Sequence, residues 1–322
     1  MAQVRKAVIT AAGRGTRQYP ATSIVQKEML PLVDRDGLTK PLIQIIAEEA
    51  IDAGVTEICI VVSPGDEESF RQYFRALQKD LLPAFAGKEW ALKESEKLAT
   101  IERALTFAIQ QTPEGYGHAV YQARSFVGDD PFLLLLGDHL YVSSSDHRCA
   151  RQLLDAYYAS GAEALSAVKP TPARLLRHFG TMRGKPLDES CRLFEVTAIK
   201  EKPSPDYAKR RLVTPGLASG QYLCHFGMHV FPPLLFDLLE RHIRDDVREN
   251  GEIQLTSAQE KMRGELTRYY CCEVEGERYD AGVPFGLMEA QLALGLAGVH
   301  RQELIESLAR LLTRQLVTLK TQ

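Results

Sequence analysis

Lys6–Thr10 reads KAVIT, and Ala11–Arg17 follows it as AAGRGTR. A short apolar run closing on two glycines predicts a buried strand that hands the chain to a loop. Glycine there lets backbone N–H groups approach phosphate oxygens with no Cβ in the way. The loop is not a Walker A loop, because no Gly-Lys-Ser/Thr follows, and Arg17 stands where the dinucleotide fingerprint needs its third glycine. A lone G-x-G serves a tight turn as readily as a phosphate site. Arg17 and the downstream Lys27 shift that balance, since phosphoryl chemistry needs fixed cations where charge develops.

Working outward, Pro41–Ala53 predicts a helix with Leu42, Ile45, Ile46, Ala50 and Ile51 at helical spacing. Glu57–Ser63 reads as a strand, Asp66–Leu77 as a helix, and Phe132–Leu136 (FLLLL) as an apolar strand ending in Gly137-Asp138. A helix over Arg148–Ala159 and a strand over Glu163–Val168 continue the alternation. This β-α-β succession predicts an α/β protein with a mostly parallel sheet covered by helices on both faces. In the second half, strands are expected over Leu193–Lys200, Tyr222–Phe231 and Arg268–Glu275, with helices over Pro233–Ile243 and Glu252–Gly264. They extend the same sheet with antiparallel members. Residues 78–100 and 203–220 are expected to be loop-rich insertions. From Arg301 onward, Leu304, Leu308, Leu311, Leu312, Leu316 and Leu319 share one helical face, which packs on its own subunit or on a partner.

The bulk numbers narrow the function. Of 322 residues, 45% are hydrophobic and 25% charged, as in ordinary soluble proteins. A net charge of -3 argues against a general nucleic-acid surface. The six cysteines contain no C-x-x-C pair, and Cys59, in an apolar run, reads as a buried reduced thiol. The N-terminus leads straight into the first strand, and no apolar stretch approaches the ~20 residues of a membrane span. A cytoplasmic location follows as the expectation, with no membrane and no nucleic acid among the partners.

The segment AVITAAGRGTRQYPATSIVQKEMLPLVD (Ala7–Asp34) resembles the signature of sugar-nucleotide pyrophosphorylases, G-x-G-T-R-x-x-P-x-T followed by K-E-M-L-P. More narrowly, it is similar to the bacterial UTP–glucose-1-phosphate uridylyltransferases. GYGHAV (Gly115–Val120), Glu201-Lys202-Pro203, GEIQLT (Gly251–Thr256) and Asp280-Ala281-Gly282 follow in that family's order. The likeness covers roughly residues 4–295. It implies a Rossmann-like three-layer α/β/α nucleotidyltransferase fold with a mixed, mostly parallel central sheet. The nucleotidyltransferase domain would span 1–298, and a C-terminal amphipathic helix 299–322. It also implies a Mg²⁺-dependent enzyme that makes UDP-glucose and pyrophosphate from UTP and glucose 1-phosphate, working as a homo-oligomer (dimer or tetramer).

Residue by residue, the resemblance implies the following roles. The loop Ala11, Ala12, Gly13, Gly15 and Thr16 would cradle the nucleotide. Arg17 would hold the β- and γ-phosphates, and Lys27 would sit by the α-phosphate or the attacking phosphate. Asp138, at the carboxyl end of a strand where open α/β sheets place ligands, would share the metal with Asp280. Either aspartate alone also suits a helix cap or a turn. Gln110 and Gly115 would read the base, since an amide offers a pyrimidine edge both donor and acceptor. Glu201 would accept from sugar hydroxyls and Lys202 would pair with the sugar phosphate. Gly180 would lie against the sugar, although a plain turn fits it equally. His118 reads as structural.

There are departures. Leu136-Gly137-Asp138 replaces the family's Leu-Pro-Asp, Ser257 stands in place of an acid after IQLT, and CHFGMHVF (Cys224–Phe231) differs from the usual GRYVL pattern. Arg35–Thr39 lengthens a loop. These bear on substrate more than on reaction type, so a thymidylyl- or other nucleotidyltransferase acting on a different sugar 1-phosphate remains an alternative. A catalytically silent sugar-nucleotide-binding regulator would be expected to lose a metal aspartate or a phosphate-binding cation, and none is missing. An NAD-dependent oxidoreductase lacks its third glycine.

Overall fold

The computed structural model describes residues 3–79, 85, 87–187 and 192–320. The first half runs β1 (Lys6–Ala11), β2 (Pro31–Val33), β3 (Thr39–Pro41), α1 (Leu42–Asp52), β4 (Glu57–Val62), α2 (Glu67–Lys79), α3 (Glu89–Ala104), β5 (Leu105–Ile109), α4 (Tyr116–Tyr121), α5 (Arg124–Val127), β6 (Phe132–Leu136) and β7 (His139–Ser143). It continues as α6 (Cys149–Ser160), β8 (Ala164–Pro172), β9 (Thr181–Pro186), β10 (Leu193–Lys200), α7 (Pro205–Arg211), β11 (Gln221–Phe231), α8 (Leu234–Arg244), α9 (Leu255–Glu265), β12 (Tyr269–Glu273), β13 (Gly276–Asp280), α10 (Pro284–Ala297) and α11 (Arg301–Lys320).

A nine-stranded sheet in the order β5-β4-β1-β6-β11-β8-β12-β10-β9 forms the centre. The ladders β5–β4, β4–β1, β1–β6 and β8–β12 are parallel, while β6–β11, β11–β8, β12–β10 and β10–β9 are antiparallel. Only β11 and β10 oppose the common direction, so the sheet is mixed and mostly parallel by strand direction. Alternate residues of β1 and β6 bury on opposite faces. Ala7, Ile9, Leu133 and Leu135 join a core with α1, α2, α3, α6 and α10. Val8, Phe132 and Leu134 join a second core with α4, α8 and α9. Strands buried on both faces are why these segments read as unbroken apolar runs rather than alternating ones. The expected three-layer α/β/α arrangement is present.

Two expectations change. Residues 78–100 are not simply a loop: α3 begins at Glu89 and buries Ala91, Leu98 and Ile101. Its sequence is so rich in Glu and Lys that this sparse stripe is easily overlooked, and residues 80–84 and 86 lie outside the described residues. Within 203–220, α7 is a short capped helix, with Pro205 in its first turn and the Ser204 hydroxyl accepting from the Tyr207 amide at 3.3 Å. At the C-terminus the predicted helix forms, but only its first turns pack. Leu304 and Leu308 are half-buried, whereas Leu311 and Leu312 are exposed. The side chains of Leu316 and Leu319 lie outside the described residues. Among the described residues no helix is long and apolar enough to cross a membrane.

Candidate active site

The site sits where β1 and β6 end, at the carboxyl edge of the parallel strands, as the doubly wound topology dictates. β1 delivers Ala11, fully buried, and then Ala12 and Gly13, which line an open hollow of about 430 Å³. Gly15 takes a left-handed conformation (φ 62°) and starts a single 3₁₀ turn over Thr16–Gln18. Arg17 on that turn points back at the hollow with its guanidinium 3.5 Å from Asp280 Oδ2. The Thr22 hydroxyl closes the loop by donating to the Gly15 carbonyl at 2.8 Å. Lys27 opens the third 3₁₀ turn of this segment (Lys27–Met29), also lines the hollow and places Nζ 2.5 Å from Asp138 Oδ2.

Two aspartates 142 positions apart in the sequence meet because β13 pairs antiparallel with β7 in a register that sets Asp280 opposite His139. The Ala281 amide donates to the Asp138 carbonyl at 2.9 Å, and Gln18 Nε2 donates to the Ala281 carbonyl at 2.8 Å, tying the glycine loop to the same corner. Asp138, His139 and Asp280 each offer a ligand atom within 4.8 Å of the others. Gly282 completes the corner: a Cβ there would stand 2.6 Å from Asp138 Oδ2 and 3.0 Å from Asp280 Oδ1. Burial alone would raise the Asp138 pKa. The hydrogen bond and charge of His139 (2.9 Å), with the Lys27 ammonium, outweigh it and hold the carboxyl well below the usual carboxylate range. Asp138 is therefore an anion at any ordinary pH. A charged, two-carboxylate corner fits a hard divalent cation, which prefers oxygen ligands. His139 Nδ1 lies 2.9 Å from Asp138 Oδ1 and so holds that carboxylate from the side.

Gln110 follows β5 and is buried; its amide meets the Gly115 carbonyl at 3.3 Å and His118 Nδ1 at 3.0 Å. Gly115 has φ 120°, and a Cβ on it would lie 2.8 Å from both Glu252 Cβ and the Ile253 carbonyl oxygen. Only glycine tolerates that combination. The Ile253 amide donates to the Glu114 carbonyl at 2.8 Å, and the Gly117 amide to the Ile253 carbonyl at 2.9 Å. Two motifs far apart in sequence thus share one backbone seam.

A second hollow of about 210 Å³ adjoins the first, lined among others by Gly180, Glu201, Lys202, His225 and Thr256. Tyr116, Leu136, His139, Lys202 and Glu252 line both. Glu201 accepts from the Thr256 hydroxyl at 2.9 Å and pairs with Lys202 at 3.3 Å. Lys202 holds φ at 39°, a conformation that costs a non-glycine residue and recurs at functional sites. Its cation stands at the junction of the two hollows.

The structure brings Ala12, Gly13, Arg17, Lys27, Gln110, Gly115, Asp138 and Lys202 around one hollow, with Asp280 at its metal corner, and Gly180, Glu201 and Lys202 around the other. Ala11, Gly15 and Thr16 shape the loop without lining either one. Two neighbours of these residues, His139 and Glu28, were not singled out from the sequence. His139 was hidden because its partner is its immediate neighbour. His118, read as structural, lies in α4 with its Nδ1 3.0 Å from the Gln110 amide. Glu28 is fully buried next to Lys27, and neither of its carboxylate oxygens has a hydrogen-bond partner. The flanking apolar residues of KEMLPL are the signal that this acid faces inward.

A glycine loop, fixed cations and a carboxylate pair at the carboxyl edge of a parallel sheet define an α/β protein that handles phosphorylated nucleotides. The chain belongs to the nucleotidyl transferase family, whose model matches residues 6–295. It is 34% identical over 318 residues to a UTP–glucose-1-phosphate uridylyltransferase of Bacillus subtilis, covering 98% of this chain and 99% of that one. Among solved structures, a UDP-glucose pyrophosphorylase complexed with UDP-glucose is similar at 26% identity and a TM-score of 0.72, covering 90% of this chain and 98% of that one. A UTP-bound UGPase from Acinetobacter baumannii is similar at 26% identity and a TM-score of 0.74, covering 95% and 99%.

Proposed function

We propose that this nucleotidyltransferase makes UDP-glucose and pyrophosphate from UTP and glucose 1-phosphate. The observation that carries the reading is the pair of adjoining hollows sharing Lys202, one ringed by Arg17, Lys27 and Asp138 and the other by Glu201 and Gly180. The UTP and UDP-glucose held by similar structures support uridine nucleotide in the first and glucose in the second.

In this mechanism Arg17 grips the outer phosphates of UTP, and the loop N–H groups after β1 face the triphosphate. Lys202 holds the sugar phosphate at the junction, so that its oxygen lies in line with the α-phosphorus. Lys27 stabilises the charge that builds there as pyrophosphate leaves. No protein nucleophile is needed; position and charge supply the catalysis. Asp138 and Asp280 would hold Mg²⁺, which when bound neutralises phosphate charge and polarises the α-phosphate. Gln110, oriented by Gly115 and His118, reads the uracil edge.

The reading extends to the setting. The five described cysteines are all free and buried, as suits a reducing cytoplasm. Exposed Phe285, Met288, Leu292, Leu296 and Val299 run along and just beyond α10, and Leu311 and Leu312 extend the apolar face on α11. This face supports a homo-oligomer, which light scattering on the purified chain tests. Pyrophosphate release from UTP, dTTP, ATP and GTP, each with glucose 1-phosphate, tests the function. UTP is expected to lead, dTTP to follow measurably, and the purines to be poor. Efficient use of ATP or GTP would refute the uridylyl assignment.

A further inference from the structure

The inner wall of the second hollow carries His225 and His229, within the stretch Cys224–Phe231. β11 shifts register against β8 between these two residues, around Gly227. All three line the hollow, while Phe226 and Met228 between them face the opposite core. Behind this wall lies a buried polar network. His229 Nδ1 meets the Ser166 hydroxyl at 2.8 Å, Ser166 meets the Tyr269 hydroxyl at 2.9 Å, and Gln259 Nε2 reaches the Tyr269 oxygen at 3.2 Å and His229 Nδ1 at 3.4 Å.

The network uses the nitrogen end of Gln259 and leaves its carbonyl oxygen without a partner, although Gln259 is fully buried and lines the hollow. His225 Nε2 is buried and equally unpartnered. Its ring stands edge-on to His229 at 5.1 Å. Burial, with the Arg278 charge behind it, pushes the His225 pKa down to about 3, so the ring is neutral. On the near side, a Cβ at Gly180 would come within 2.7 Å of Thr256 Cγ2 and 2.8 Å of His225 Nδ1, so the glycine keeps the mouth of this wall open. Buried polar atoms with no protein partner beside a hollow need a hydrogen-bonding group from whatever fills it, since leaving them unpaired is costly.

We propose that Gln259 and His225 are specificity-determining residues that read inner hydroxyls of the sugar 1-phosphate. The Gln259 carbonyl accepts from one hydroxyl and His225 Nε2 pairs with another, which favours a sugar 1-phosphate that carries hydroxyls at both of these positions. This rests on the function proposed above. A site built to hydrogen-bond a substrate hydroxyl rejects the analogue that lacks it far more strongly than an apolar pocket rejects a missing methylene.

The test is kcat/KM for glucose 1-phosphate and its 2-, 3-, 4- and 6-deoxy analogues with UTP, in the wild type, Gln259→Met and His225→Phe. The wild type is expected to lose at least about tenfold on one or more deoxy analogues. Each variant should raise KM for glucose 1-phosphate, leave KM for UTP unchanged, and erase discrimination at its own hydroxyl. Discrimination that survives in both folded variants overturns the proposal. So does a wild type that uses every deoxy analogue as well as glucose 1-phosphate, a result that needs no variant to fold. If glucose 1-phosphate is not turned over at all, the function beneath fails and this wall reading fails with it.

Discussion

Replacing Glu28 with Gln should change how stability depends on pH. Burial pushes the Glu28 carboxyl from 4.5 up to about 8, against the pull of the Lys27 ammonium 3.5 Å away. Between those values the folded chain keeps a proton that the unfolded chain has released. Stability therefore falls as pH rises through the window from about 4.5 to about 8, and is level above it. At 1.36 kcal/mol per unit, and allowing for half-titration near pH 8, the wild type loses roughly 2 kcal/mol between pH 6 and pH 8 through this group. For a chain of 322 residues that is about 3 °C in Tm. Gln matches the neutral acid in shape and does not titrate. Urea or thermal unfolding in chelator-treated buffer should show the stability of Glu28→Gln rising relative to wild type by roughly 2 kcal/mol from pH 6 to pH 8. A constant offset between the two proteins across that range would refute the assignment of a protonated, buried Glu28.

Gly282→Ala should leave the melting curve nearly intact but drive a methyl into Asp138 Oδ2 and Asp280 Oδ1. Turnover should fall by about 10²-fold, as a misplacement of about 1 Å in a catalytic group can cost. Asp138→Asn or Asp280→Asn should fold and lose orders of magnitude in kcat, with magnesium titration showing weaker saturation, because Lewis-acid stabilisation worth several kcal/mol is removed. Arg17→Ala should damage UTP use and reverse-direction pyrophosphate use. Lys202→Ala should instead raise KM for glucose 1-phosphate or lower kcat, so identical defects in the two variants would contradict the division of the pocket.

The opening strand and the apolar runs of β4 and β6 are readable because burial on both sheet faces imposes an unbroken apolar pattern, and α1 because its apolar residues recur at helical spacing. The candidate site was readable residue by residue through its motifs. The sequence could not show how those motifs meet: the β13–β7 register that joins Asp280 to Asp138, or the seam that locks Gly115 to Ile253. Both are backbone pairings between distant segments, and side-chain pattern carries no trace of them. Glu28 and Gln259 were missed for the opposite reason. Polar side chains read as surface until the fold encloses them, and their unpartnered atoms exist only in three dimensions. The distal half of α11 reads as one amphipathic stripe whether it folds back or projects, and only the packed chain shows Leu311 and Leu312 exposed.

The most direct measurement follows two labels through one turnover. With UTP, glucose 1-phosphate and Mg²⁺, phosphorus label in the α-position should appear wholly in UDP-glucose, and label in the γ-position wholly in pyrophosphate, in equal amounts. Loss of γ-label as free phosphate, or absence of α-label from a sugar nucleotide, would contradict attack by the sugar phosphate on the α-phosphorus and with it the proposed reaction.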